Sequence, residues 1–271
     1  MAQAFRSFVN ETPGPVPSDF FSHAGSDADD PAVISDDPDF QAFPGESYLL
    51  QSSLSSLAVT RWLDAPTAVG ICEMTGLCWQ ESNTAPNFRR FGGMAVGVHE
   101  NTDAYPGPAP HAQWNSGNNK RASIREFAAN GNDSQLIQLT DAGPWGLVNP
   151  YIWRFRVNMT TGEMAWRQWL YTDPEPSTWL LEHTAPSPGD WGTGFGLISG
   201  ANSGGLFRMV HFSWIGVGTD GDPAPTGPLS TTEAFALRHN PRTNKVIPVL
   251  SSPTVTDIGA ACVRPRVSKG Y

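Results

Sequence analysis

Asp173 and Glu175 are spaced as alternate residues of a strand, which would put both carboxyls on one face. A retaining glycosidase needs two carboxyls about 5 Å apart across the scissile bond. A strand carrying Glu-x-Asp-x-Glu meets that need, and this chain has no such alternation. Pro174 and Pro176 interrupt the Asp173–Glu175 pair and put it in a loop. Glycoside hydrolysis is therefore the weaker of two carbohydrate readings. Nucleophilic triads have less support still: there is no G-x-S-x-G, and no cysteine has a histidine at a useful spacing. Ser203-Gly204-Gly205 precedes a strand pattern, so no helix N-terminus is there to hold a phosphate.

Six histidines (His23, His99, His111, His183, His211, His239) show no H-x-x-x-H or H-x-x-E-H spacing, which argues against zinc. Asp220-Gly221-Asp222 offers hard oxygen ligands on a loop. That makes Asp220 and Asp222 the candidate calcium ligands, although Asp-Gly-Asp-Pro is equally a turn sequence. No other cofactor is expected. Trp114, Trp145, Trp179 and Trp191 fall in loops or at strand ends. Their faces are the candidate platforms for stacking on sugar rings. The competing reading is that they close the ends of a sandwich or fill subunit interfaces, and it is the favoured one.

Composition indicates what must hold these residues. Only 16% of the 271 residues are charged, while Gly (27), Pro (24) and Trp (10) are abundant. Many turns and many large flat side chains suit a sheet protein with broad aromatic packing. A net charge of −9 argues against binding a nucleic-acid backbone. Arg89-Arg90, Lys120-Arg121 and the group Arg264, Arg266, Lys269 read as solvated faces. Three cysteines, Cys72, Cys78 and Cys262, do not make a disulfide framework. Cys72 and Cys78 flank Met74-Thr75-Gly76, a spacing that a hairpin would bring together, but both are expected as reduced, small apolar residues. MAQAFRSFVNETPGP has no basic segment followed by an apolar stretch, so no secretory signal is expected, and no run approaches a membrane span.

Along the chain, residues 1–45 carry Pro-rich and acidic tracts with scattered Phe5, Phe8, Phe20, Phe21, Phe40 and Phe43. The scattered phenylalanines imply an extended arm pinned onto a neighbouring surface, the alternative being a loosely packed leader. Strands are expected over 47–60, 68–79 and 91–99, followed by a long polar connection over 100–121. Residues 123–127 and 135–139 flank Asn130-Gly131-Asn132, a hairpin signal. In 151–159, Tyr151, Trp153, Phe155, Val157 and Met159 point one way while Arg154, Arg156 and Asn158 point the other. A return strand follows over 164–171, and 207–217 reads as a central strand. After Pro225, GPLSTTEA reads as a linker, and residues 226–271 are expected to carry a hairpin over 235–239 and 246–250 with short β-like pieces beyond.

Arg167-x-Trp169, then Glu175-Pro176-x-x-Trp179, Gly194-x-Gly196-Leu197 and the closing residues 217–225 (VGTDGDPAP) together resemble the concanavalin A-like, laminin G-like jelly-roll module of tailed-phage virion proteins. The resemblance is clearest over 92–225 and weaker over 40–79. It implies an all-β, antiparallel jelly-roll sandwich over 46–225, flanked by the arm and a C-terminal docking extension. It further implies a non-enzymatic virion protein assembled in a bacterial host cytoplasm, in a tail fibre, tail tip or adaptor, or as capsid decoration. The implied partners are other virion proteins, further copies of itself in a homo-oligomer and a host-surface glycan. Nucleic acid is not among them.

Overall fold

A computed structural model describes residues 2–9, 11–23, 33–36, 47–53, 58–80, 90–100, 109–116, 121–127, 133–140, 150–185, 190–201, 207–227, 235–240 and 245–250. The chain divides into two units, Met1–Leu229 and Ser230–Tyr271. The first contains β1 (Ala2–Ser7), β2 (Gly14–Pro15), β3 (Phe20–His23), β4 (Val33–Ser35), β5 (Tyr48–Ser53), β6 (Ala58–Trp62), β7 (Ile71–Gln80) and β8 (Arg90–Val98). It continues with β9 (Ala109–Ser116), β10 (Arg121–Phe127), β11 (Asp133–Thr140), β12 (Tyr151–Asn158), β13 (Glu163–Leu170), β14 (Leu181–Thr184), β15 (Gly194–Ala201) and β16 (Phe207–Thr219). No helix occurs among the described residues.

These strands form two antiparallel sheets, an all-β sandwich of jelly-roll type. One sheet runs β14-β13-β12-β7-β16-β5-β4-β2, with β1 also on β16, and the other runs β11-β10-β9-β8-β15-β6-β3. β16 is the central strand expected from its apolar run. β7 lies on one side of it; on the other, β5 pairs along Phe207–Phe212 and β1 along Trp214–Thr219. Alternation makes the core. Met74, Trp153, Phe155, Val157 and Trp166 project from the first sheet, and Met94, Val96, Ile124, Phe195 and Leu197 from the second, all buried in one cluster. β12 and β13 pair as a hairpin, Phe155 opposite Trp166. Gly162 holds its turn with φ +75, and Asn158 Oδ1 accepts from the Thr160 and Thr161 amides at 3.0 and 3.1 Å.

Two expectations need correction. The proposed arm over 1–45 contributes β1 through β4 to the two sheets. Its phenylalanines explain this. Phe8 and Phe20 are buried with ring centroids 5.6 Å apart, Phe20 stacks on Trp62 at 6.0 Å, and Phe5 lies 5.7 Å from Trp214. Phe40 and Phe43 lie outside the described residues. The polar connection over 100–121 contains β9, paired to both β8 and β10. Its alternation is muted because His111 and Gln113 are buried polar residues. β14 was not expected at all. Cys72 and Cys78 lie six residues apart on one continuous strand, β7, and not across a hairpin, in keeping with the reduced, apolar state expected of them. Both thiols are free and buried.

In the second unit, β17 (Phe235–Asn240) and β18 (Lys245–Leu250) pair as an antiparallel hairpin, close to the expected bounds. The pieces expected beyond it, and Cys262, lie outside the described residues.

Candidate functional site

The outer face of the first sheet carries charge where a sheet face ordinarily meets solvent or another layer. Register places Glu73 opposite Arg156 between β7 and β12, and Arg154 opposite Arg167 between β12 and β13. The same alternation that sends Phe155 into the core sends Arg154 and Arg156 outward. Arg154 Nη1 donates to Glu73 Oε2 at 2.5 Å, and Arg156 Nε donates to Glu73 Oε1 at 2.7 Å. Arg154 also pairs with Glu175, its Nε 2.8 Å from Oε1, and Arg167 pairs with the same carboxylate.

Two loops cover this cluster. The 172–180 loop, after β13, brings Glu175 and Trp179, and Arg167 Nη1 donates to the Pro176 carbonyl at 2.9 Å. The 220–227 segment, after β16, folds back across the sheet. There the Ala224 amide donates to Glu73 Oε2 at 3.2 Å, Arg154 Nη1 donates to the Ala224 carbonyl at 3.3 Å, and Thr75 Oγ1 donates to the Pro225 carbonyl at 2.6 Å. Glu73 and Arg154 end up almost wholly buried, with side chains 3% and 7% exposed.

Burial alone would push the Glu73 carboxyl up. Arg154 and Arg156 outweigh it and hold the carboxyl below the usual glutamate range. A glycosidase acid needs the opposite shift, toward a proton retained near neutrality. Glu73 is thus a fixed anion, suited to ordering arginines and unsuited to giving up a proton.

Trp179 lies over the same arginines, its ring centroid 4.2 Å from the Arg167 guanidinium carbon and 4.9 Å from that of Arg156. Beside it a hollow of about 590 Å³ opens at the β14 edge of the sheet, lined by Trp179, Arg156, Asn158, Glu163, Ala165 and Glu182 among others. Register explains the depression: Ala165 sits opposite Arg156 on one side and Glu182 on the other, so a methyl group lies between two long side chains.

The structure separates the four candidate tryptophans. Trp179 walls the hollow. Trp191 instead packs half-buried against the core, with its Nε1 donating to Glu126 Oε1 at 2.6 Å. Trp114 belongs to β9, its side chain outside the described part, and Trp145 lies outside the described residues. Asp220 and Asp222, the candidate calcium ligands, lie in the turn that follows β16. Asp220 occupies a left-handed turn at φ +55, and among the described residues no third acidic, histidine or cysteine side chain gathers with Asp220 and Asp222. A calcium ion there would draw the rest of its six to eight oxygens from backbone carbonyls and water. Glu73, Arg154 and Arg156 escaped the sequence reading, though a lone glutamate in ICEMTGLCWQ and two outward arginines in YIWRFRVN were there to be paired.

No family model matches the chain, and no curated protein matches it. Among solved structures it is similar to a glycoside hydrolase family 16 endo-glucanase from Bacteroides ovatus, at 8% identity over 79% of this chain and 99% of that one, with a TM-score of 0.49. Lectin II from Ulex europaeus gives 8% identity over 79% and 97%, TM-score 0.49. The carbohydrate-binding module CBM66 from Bacillus subtilis gives 7% over 70% and 95%, TM-score 0.42. At such identities and scores nothing about ligand or chemistry carries over to this chain.

Proposed function

We propose that this chain is a non-enzymatic, glycan-binding β-sandwich that serves in a phage virion, in a tail fibre, tip or adaptor where it contributes to host adhesion. The carrying observation is the hollow beside Trp179: an aromatic wall, several hydroxyl-binding groups and a neighbouring cluster whose carboxylates are committed to arginines. Ligand sites combine one apolar surface with a few placed polar groups in this way. The virion setting rests on the sequence resemblance over 92–225, as does assembly with other virion proteins and with further copies of the chain.

Glycan-array binding by the purified chain tests the reading. Trp179→Ala is expected to abolish binding, while Trp191→Phe, which alters a core-packed residue, leaves it in place. Release of reducing sugar from any bound polymer would overturn the non-enzymatic assignment. Immunogold labelling of virions tests the location, and label on the capsid would favour decoration over a tail role.

A further inference from the structure

The hollow beside Trp179 has a charge pattern that selects among sugars, and this inference rests on the glycan-binding reading above. Of the three arginines in the cluster, Arg154 is taken by Glu73 and Glu175, and Arg167 by Glu175 and the Pro176 carbonyl. Arg156 is the one that lines the hollow, and Glu73 holds it through two contacts, Nε at 2.7 Å and Nη2 at 2.5 Å. Glu73 shares its single charge between Arg156 and Arg154, and the Arg156 side chain stays half-exposed at the hollow. Glu182, on the edge strand β14, stands across Ala165 from Arg156, and Glu163 lies two residues from Ala165 along β13; both are exposed, and His183 also lines the hollow. Glu163 accepts from its neighbour Thr161 at 3.1 Å, and among the described residues neither carboxylate is ion-paired.

We infer that this hollow takes an uncharged pyranose and turns away acidic sugars. The apolar face of the ring would lie on Trp179 above the Ala165 floor, with adjacent hydroxyls donating to Glu163 and Glu182. Asn158 and Thr184, also in the lining, offer further partners for hydroxyls. A carboxylate accepts two hydroxyl donors readily, which is how a site with acidic walls holds a neutral polyol. A uronic or sialic acid would bring its own negative charge against these two carboxylates, while the Nε and Nη2 of Arg156 are turned to Glu73. Like-charge juxtaposition of this kind is a device for rejecting the wrong partner. Ala165 sets the depth: any larger side chain there fills the space between Arg156 and Glu182.

The test titrates the full chain with three matched sets of oligosaccharides, neutral, amino-bearing and acidic, reading binding by saturation-transfer NMR and calorimetry. Neutral sugars are expected to bind at least about tenfold more tightly than their acidic counterparts. Glu182→Gln and Glu163→Gln, both exposed and safe for folding, are expected to narrow that gap. Ala165→Leu is expected to abolish binding, with an unchanged denaturation midpoint as its folding control. If sugars bind but acidic ones bind as well, or the two glutamine variants leave selectivity untouched, the hollow is not the selective site, though glycan binding stands. If no sugar of any class binds, the glycan reading itself falls.

Discussion

Arg154 donates to Glu73 at 2.5 Å beneath the Ala224 backbone, so that two opposite charges are closed off from water on the outer face of a sheet. Such a pair contributes little net stability while intact, because desolvation offsets most of its attraction. Breaking it is another matter. Glu73→Ala leaves Arg154 buried beside its remaining partner Glu175 and deprives Arg156 of its carboxylate. The expected loss is about 3–5 kcal/mol, read from urea unfolding. A Glu73→Ala variant within about 1 kcal/mol of the parent would show that water reaches the pair freely.

The same carboxylate makes stability depend on pH. Its folded-state affinity for protons is lower than in the unfolded chain, where a glutamate titrates near about 4.3. A depressed folded pKa contributes stability that is fully present above the unfolded value and lost as pH falls through the folded one. The unfolding midpoint should therefore decline below about pH 5, and Glu73→Gln should flatten part of that decline. An identical acid limb in parent and Glu73→Gln would assign the pH dependence to other carboxylates.

The 220–227 segment is held across the sheet by close approach as well as by hydrogen bonds. A Cβ added at Gly216 would stand 2.4 Å from the Pro225 carbonyl oxygen, and one at Gly218 2.3 Å from that of Asp222. Neither backbone atom can yield without lifting the strap. Gly216→Ala is expected to cost about 1–3 kcal/mol and to open the segment to protease. Mass spectrometry of a limited digest should find new cleavage within 220–227. Gly227→Ala, where an added Cβ meets nothing within 4 Å, keeps the strap seated and serves as the comparison, though its φ of +73 adds some strain. Equal digestion of the two variants would mean that the strap is not fixed by this contact.

Much of this architecture was legible from period alone. YIWRFRVN placed its aromatics inward and its arginines outward because a half-buried strand has no other way to lie. What escaped the reading depends on pairing across long separations. Glu73 meets Arg154 and Arg156 more than 80 residues away, and a single strand's pattern holds no record of its partner. The strands of 1–45 escaped for a related reason. Pieces as short as Gly14–Pro15 and Val33–Ser35 have no measurable period and gain their order from a neighbour already in place. Trp179 was singled out for its loop position, but the floor beneath it is made by Ala165, a residue without chemistry of its own.

Cys72 and Cys78 allow a last test, of the core. Burial pushes the Cys72 thiol up to about 12, the largest of the influences on it, and burial raises Cys78 as well. A thiol must ionise to attack a disulfide reagent. In a Cys262→Ser chain at pH 8, an aromatic disulfide reagent should therefore find no reactive thiol until the sandwich opens. In denaturant, two equivalents should react at once. The native rate should rise in step with destabilisation, so that Glu73→Ala, on the outer face of the same strand, speeds labelling of thiols on the inner face. Native labelling at the rate of a free thiol would mean that the strand β7 is solvent-accessible and that the sandwich core has been wrongly drawn.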